Sequence, residues 1–444
     1  MRTLVVFEDP GQRAFSIVTA VRGVFDLRCG ARTLLERFVA AIRPERLVLL
    51  PRFELAPLLA ETHGPETGMP ELAPAETFKP GEAVFINGRL LALGQDVERS
   101  FEATKGEFAA CLGETLVFAR CLPATATKLA QVLRATLQPV DVEKAEAETF
   151  RQRLARQIGQ LPLHDLDVRR DWNRDGSILL DHVWQLVEKN ADALIDDFAQ
   201  GPGAGIDPGA RVDPGVHWLE PSAIRVEADT RLRPGVILDA ESGPITISAG
   251  TDIQPHVVVR GPAYVGPRCL LKAGTKIQGN TSLGPVCKLG GEVEGSILQG
   301  WSNKQHEGFL GHAYVAEWVN FGADTNNSDL KNNYGSVKMW EAGELVDTGL
   351  LFIGLVAADH VKTAINTQFN TGTVVGLASQ IAAYGFPPKF VPPFGWCGPS
   401  GIERYAIERA LHTARVVMSR RGVVLTPAYE VAFRRAFANR DRPM

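Results

Sequence analysis

Ile247-Ser-Ala-Gly-Thr251-Asp-Ile253-Gln-Pro-His-Val257-Val-Val259-Arg-Gly-Pro-Ala263-Tyr-Val265-Gly-Pro-Arg-Cys269-Leu-Leu271-Lys-Ala-Gly-Thr275-Lys-Ile277-Gln-Gly-Asn-Thr281-Ser-Leu283-Gly-Pro-Val-Cys287-Lys-Leu289 carries an aliphatic residue at every sixth position without a miss. With aliphatics at about a quarter of the chain, eight such hits in one register have a chance probability on the order of 10⁻⁵. The residue four places after each of the first seven is small: Thr251, Val257, Ala263, Cys269, Thr275, Thr281 and Cys287. An inward aliphatic followed by a small corner residue, repeated every six residues, predicts a parallel β-helix. Its coil of three six-residue edges stacks at a spacing of roughly 4.8 Å.

The ladders follow from that arithmetic. Ile247, Val265 and Leu283 stack on one edge, Ile253, Leu271 and Leu289 on the next, and Thr251, Cys269 and Cys287 share a corner. The period also occurs earlier, at Val226, Leu232 and Leu238, slips by three residues at Glu241–Pro244, and returns in a shifted register as Phe309, Val315 and Phe321. Such a prism needs several coils before it is stable.

Upstream, strands and helices alternate: a strand at Thr3–Phe7, a helix at Ala31–Ile42, strands at Arg46–Leu50 and Ala83–Ile86, and helices at Ala126–Leu137, Val142–Gln157 and His182–Phe198. That order predicts an α/β, Rossmann-like domain. The expected divisions are an α/β domain over 1–200, a Gly/Pro linker at 201–209, the prism over 210–390, and a Pro-rich strap with helices near Ile402–Ser419 and Pro427–Phe437 over 391–444.

A chain of 444 residues, 45% hydrophobic and 22% charged, with net charge −4, predicts a globular protein and no nucleic-acid partner. No apolar run reaches membrane-spanning length and Met1–Glu8 has no signal-peptide pattern, so neither a membrane partner nor export is expected. The six cysteines form no CxxC pair and no His completes a ligand set beside Cys269 and Cys287, which fits buried thiols in a reducing cytoplasm.

The richest polar stretch interrupts the prism. It runs from Trp301-Ser-Asn-Lys-Gln-His306-Glu-Gly-Phe309-Leu-Gly-His312 through Asn320-Phe-Gly-Ala323 to Lys331-Asn-Asn333-Tyr334. Regular coils have no need of two His and several Asn and Lys at one level, so a site is expected there. A neutral His306 can accept a proton from an attacking amine, and Lys331, Lys338 or Lys362 can hold a phosphate as point charges. The competing reading is that His306 and His312 cap loop carbonyls and that Lys331 and Lys338 are solvated. In the first domain Arg22 and Arg28 could meet phosphates and Asp26 a magnesium ion, or these residues could form a surface network.

His306-Glu-Gly-Phe309-Leu310-Gly311, Asn320-Phe-Gly322-Ala323 and Asn333-Tyr334 resemble the acetyltransferase half of the bifunctional N-acetylglucosamine-1-phosphate uridyltransferase/glucosamine-1-phosphate N-acetyltransferase family. Gly354-Leu-Val-Ala-Ala-Asp359-His360-Val-Lys362 and the following residues to Thr373 resemble its divergent sugar nucleotidyltransferase branch. That resemblance implies a left-handed β-helix, His306 as general base, Ala323 as an acyl-CoA contact, and Asn320, Asn333 and Tyr334 as substrate contacts. Phe309 stands where the family usually has Tyr. Thr19–Gly30, Asn87-Gly88-Arg89 and the helix around Trp184–Asn190 resemble the branch's substitute for the usual Gly-rich nucleotide loop, which makes Arg22, Arg28, Asn87 and Arg89 nucleotide contacts and Asp26 a Mg²⁺ ligand. The implied enzyme acetylates glucosamine 1-phosphate from acetyl-CoA, then joins the product to UMP from UTP, and works as a homotrimer. Two alternatives stay open: an acyltransferase whose first domain binds nucleotide sugars without catalysis, and a non-catalytic trimeric scaffold.

Overall fold

The computed structural model describes residues 2–63, 81–94, 99, 106–137, 150–159, 161–165 and 176–441. It divides into two compact units. The first comprises Met1–Arg13, Val21–Leu27 and Arg32–Asp181, the second Ala14–Ala20, Arg28–Ala31 and His182–Met444.

The first unit is built on a six-stranded mixed sheet. Its strands are β1 (Arg2–Phe7), β2 (Arg46–Leu50), β3 (Glu82–Asn87), β4 (Phe108–Leu112), β5 (Thr115–Cys121) and β6 (Leu163–Asp165), in the order β2-β1-β3-β5-β4-β6. β1 runs parallel to β2 and β3, as the β–α–β reading predicts. β5 is antiparallel to both β3 and β4, so the sheet is mixed rather than wholly parallel. The hydrophobic period does not announce the β4–β5 hairpin, because Phe108–Cys111 and Leu116–Ala119 are unbroken buried runs without alternation. Helix α1 (Leu34–Ile42) begins at a capping box in which Thr33 Oγ1 accepts from the Glu36 N–H and Glu36 accepts from the Thr33 N–H. Of the expected helix at Val142–Gln157, Phe150–Ile158 is helical and residues 142–149 lie outside the described residues.

The second unit is a parallel β-solenoid whose first face is a ten-stranded sheet running from Gly205–Ile206 to Phe390–Val391. The pairing is the predicted one: Ile247 faces Val265, which faces Leu283, and Ile253 faces Leu271, which faces Leu289. All eight aliphatics of the hexad are at most 1% exposed, and the small residues after them are buried too. At the shared corner Thr251 and Cys269 donate to the carbonyls of Gly266 and Gly284. Cys269 is a buried thiol whose pKa is pushed well above the ordinary value, by burial first and then by its neighbour Cys287. The three-residue slip at Glu241–Pro244 lengthens one coil at a corner, after which Val226 still pairs with Ile247.

Between strands the chain turns through single left-handed residues: Gly250, His256, Arg268, Gly274, Asn280 and Val286. The period of six in this set is the corner spacing. One register differs from expectation. Leu310, not Phe309, points inward opposite Val293, and half-buried Phe309 faces outward beside Gly311, because the corner between it and Val315 is one residue shorter than the hexad assumes. Another difference is an insertion: Val315 pairs with Ala357 across a long excursion that holds the hairpin Lys338–Glu341/Glu344–Asp347.

The stretch expected as one helix over His182–Phe198 is two, α2 (Trp184–Glu188) and α3 (Asn190–Ala199), and both belong to the solenoid unit. Asn190 sits at the break, where its side chain donates to the Asn280 carbonyl and accepts from the Gly30 N–H and the Ser282 hydroxyl. At the other end α4 (Ile407–Ser419) and α5 (Pro427–Asn439) form a hairpin held by Arg434–Glu408 and Arg434–Glu430 pairs. Phe433 packs edge-on against Phe394, and the Tyr429 hydroxyl meets His360 Nε2 at 2.9 Å, which seats the hairpin on a corner of the solenoid.

The interior row sets the stability of the solenoid. Leu271→Ala deletes a fully buried side chain with Ile253 and Leu289 on either side. A loss of about 2–5 kcal/mol is expected in urea unfolding.

Candidate functional site

On the second face each strand presents one residue outward just before its inward one. In the regular coils that outward column reads Asp252, Leu270 and Lys288, and it continues through Asn303, Asn320 and Lys362. Above Lys288 the face opens into a groove of about 410 Å³ lined by Lys288, Asn303, Gln305, Asn320 and Lys362 from the strands, Trp301 and Trp318 from the corner, and Val417, Arg420 and Arg421 from the end of α4 and the turn after it. Trp301, Trp318 and His360 all hold φ between 54° and 63°, a conformation that disfavours bulky side chains. They stack in consecutive coils, Trp301 on Trp318 at 4.9 Å and Trp318 on His360 at 6.2 Å. In the regular coils the same corner holds Gly250, Arg268 and Val286, so a left-handed residue is a feature of this corner and the aromatic side chains are what these later coils add.

The groove's polar groups form a directed chain. Arg421 donates to Asn303 Oδ1 at 2.7 Å, and Asn303 Nδ2 donates to Asn320 Oδ1 at 3.3 Å, which turns the Asn320 amide donor outward. Lys362 donates to the carbonyls of Trp318 and His360. Burial pushes the Lys362 amine down to about 7, against the pull of Asp359. The Lys288 amine is also lowered, by burial first and then by Arg421 and Arg420.

A lysine whose folded pKa lies below its unfolded value binds fewer protons folded than unfolded between the two, so stability rises with pH through that window. The cost of charged Lys362, which shares its groove with Lys288, Arg420 and Arg421, is therefore fully present below about pH 7 and falls away progressively as pH rises from there to the ordinary lysine value of 10.5. Lys362→Met should raise the urea midpoint relative to the natural chain at about pH 6, and that gain should shrink steadily as pH rises toward about 10.

His306 occupies the next corner, directly after groove residue Gln305, and its imidazole is exposed. Beneath it Lys304 fills an inward position, opposite Leu289, where the hexad calls for an aliphatic. It is 2% exposed, and its amine reaches the carbonyls of Gly290 at 3.1 Å and His306 at 3.0 Å, so a buried cation fixes the peptide that carries the imidazole. Burial lowers the Lys304 amine to about 8. Ala323 lies at the same corner one coil on, where the Asp324 N–H donates to the Glu307 carbonyl.

Lys331, Asn333 and Tyr334 lie on the insertion, which leaves the solenoid after its third face. Lys331 donates to the Ser336 carbonyl, Asn333 Oδ1 accepts from the Gly335 N–H, and Tyr334 is 71% exposed. Within one chain, then, Asn320 and Lys362 share the groove and His306 and Ala323 share a neighbouring corner, while the insertion residues stand at a third place. His312 Nδ1 meets Asp329 Oδ2 at 2.8 Å beside the insertion.

The residues expected to meet a nucleotide are placed differently. Arg89 is buried and spends its guanidinium on Asp9 (2.7 and 2.8 Å), Asp181 (2.9 Å) and the Leu180 carbonyl. Asn87 donates to Asp9 and the Leu116 carbonyl and accepts from the Arg89 N–H. Both are thus structural ties rather than displayed phosphate contacts. Arg28 belongs to the solenoid unit, 6% exposed, with its N–H on Gln299 and its guanidinium over the Tyr264 ring. Arg22 is 7% exposed, and its carbonyl accepts from Arg52. Asp26 accepts from the Gly23 N–H and pairs with His63 at 3.0 Å. With both oxygens so committed, and no group of three His, Cys, Asp or Glu converging among the described residues, the donor set does not fit a Mg²⁺ ion.

Sequence reasoning places Trp301, Asn303, Gln305 and Trp318 inside the expected site stretch without giving them roles, and does not single out Lys288, Arg420 or Arg421. The available signal was the outward position before each inward residue. The two arginines reach the groove only through tertiary packing. Among the described residues no helix is long and apolar enough to cross a membrane.

Residues 4–201 match the family described as "Sugar nucleotidyl transferase". The chain is 28% identical over 156 residues to a bifunctional sugar-1-phosphate nucleotidylyltransferase/acetyltransferase of Sulfurisphaera tokodaii, which covers 35% of this chain and 37% of that protein. It is 30% identical over 124 residues to the bifunctional protein GlmU of Methanocaldococcus jannaschii, 28% of each chain. Both alignments span well under half of the relative. Among solved structures, a Francisella novicida UDP-N-acetylglucosamine acyltransferase aligns at 12% identity over 50% of this chain and 75% of that one, with a TM-score of 0.27. The sequence relationships are to transferases.

Proposed function

We propose, for a chain with a sugar nucleotidyl transferase domain over residues 4–201 and similarity to bifunctional nucleotidylyltransferase/acetyltransferases, that the solenoid moves an acetyl group from acetyl-CoA to the amine of glucosamine 1-phosphate. The first domain then transfers UMP from UTP to the product. The observation that supports the first half most is an exposed imidazole, His306, held at its peptide by a buried lysine one residue from a cation-lined groove.

The chemistry asks little more. The sugar amine attacks the thioester carbonyl, and neutral His306 takes the proton that the new C–N bond releases. The tetrahedral oxyanion collapses, the C–S bond breaks, and the thiolate leaves with a proton. Fixed N–H donors at the corner, or the outward Asn320 amide, can stabilise the oxyanion. Asn320 and Lys362 are assigned to substrate and Ala323 to the acyl-CoA. Lys331, Asn333 and Tyr334, remote from His306 within one chain, enter the site from a neighbouring copy in a homotrimer.

A second reading is favoured by one observation. Asn87, Arg89 and Asp26 spend their polar atoms internally, which suits a first domain that binds a nucleotide sugar without turning it over. A two-stage assay separates the readings. Glucosamine 1-phosphate and acetyl-CoA should release free thiol, and added UTP and Mg²⁺ should then release pyrophosphate. Thiol without pyrophosphate supports the second reading, and no thiol refutes both.

A further inference from the structure

We propose, building on acetyl transfer with His306 as base, that the interior lysine Lys304 is a positioning residue for that step: its charged amine ties two carbonyls of successive coils together and so fixes the corner from which the imidazole projects.

The interior row on the second face is otherwise made for apolar side chains. Ile253, Leu271 and Leu289 stack beneath Lys304, and Phe321 takes the inward place one coil on. Leucine or isoleucine at 304 would continue that row without burying a charge, and a buried ammonium is costly unless it is well bonded. Lys304 is nevertheless 2% exposed, and its amine reaches the Gly290 carbonyl at 3.1 Å and the His306 carbonyl at 3.0 Å. Among the described residues it is the only hydrogen-bond donor to either carbonyl. The row gains nothing from a cation at this level. The peptide that gains is the one carrying the exposed imidazole, and such breaks in a core pattern belong to functional places.

The neighbouring coils close on the same corner. A Cβ on Gly290 would lie 2.4 Å from the Gln305 carbonyl oxygen, one on Gly291 would lie 2.8 Å from that of Gly308 and 3.0 Å from that of His306, and one on Gly308 would lie 2.3 Å from that of Thr325. Two glycines below and one within the corner thus let residues 305–308 sit directly between coils, and Lys304 pins that segment from inside. An ammonium makes both bonds charge-assisted, which roughly doubles their strength over neutral donors. Burial lowers the amine to about 8, against the pull of Glu307 in the same corner and Asp324 one coil on. The grip should therefore loosen as pH rises through about 8.

Two variants test this. Lys304→Met keeps the length of the side chain and removes its charge, and Lys304→Leu restores the aliphatic row. Thiol release from acetyl-CoA with glucosamine 1-phosphate is followed against pH for the full-length natural chain and both variants, with urea unfolding to show which are folded. Each variant should lose at least about tenfold in kcat, with KM for both substrates within about twofold, because the imidazole is misplaced while the groove is kept. The natural chain's kcat should fall above about pH 8, where Lys304 loses its charge, and the variants should lack that fall. No thiol from the natural chain refutes acetyl transfer itself, and the positioning role with it. Equal rates from the natural chain and the folded variants overturn the positioning role alone. So does an alkaline fall that the variants share, or a failure of both variants to fold, which would assign Lys304 to the fold.

Discussion

His306→Ala should lower kcat for acetyl transfer by about 10²–10⁴-fold and leave the urea midpoint unchanged. The rate follows from the role: without a base within reach, the amine must lose its proton to water as the C–N bond forms. The stability follows from position. The imidazole is exposed at a corner, and the contact that fixes this corner is to the His306 carbonyl, which alanine keeps. His306→Gln preserves polarity without a useful base and should be as slow as alanine. Equal rates in the natural chain and both variants would remove His306 from the chemistry and favour a scaffold.

Replacing Arg89 tests the first domain with a different readout. Burial would push the guanidinium down, yet the Asp9 and Asp181 carboxylates hold it above its ordinary value, so the pairing outweighs desolvation. Arg89→Met leaves the largely buried Asp9 carboxylate without its bidentate partner, and breaking one side of such a pair costs about 3–5 kcal/mol. That loss should appear in urea unfolding with no nucleotide present. Arg89→Lys keeps the charge but not the fork and should fall between. If Arg89 instead contacted a nucleotide, Met would preserve stability and abolish UTP turnover.

These two residues show where sequence was informative. The solenoid was legible because one inward side chain per edge, repeated every six residues, is a local constraint. Ile247, Val265 and Leu283 pair as the arithmetic requires. Phe309 is one residue out of register because the corner between it and Val315 is short, and a period cannot report a deletion it spans. Lys304 broke the aliphatic row in plain sight, yet its meaning came only with the carbonyls of Gly290 and His306 around its amine. Arg89 and Asn87 looked like phosphate contacts because a turn ending in Arg is the same string whether its guanidinium faces solvent or Asp9. Arg420 and Arg421 lie far along the chain from Asn303, and nothing local to either segment foretells that they meet.

The most direct test of acetyl transfer at the solenoid is mass spectrometry of the products formed from glucosamine 1-phosphate and acetyl-CoA, with free thiol followed in the same reaction. The account predicts N-acetylated sugar phosphate accumulating in step with thiol, and neither in His306→Ala. Thiol released without acetylated sugar, or no thiol from folded natural protein, would contradict it.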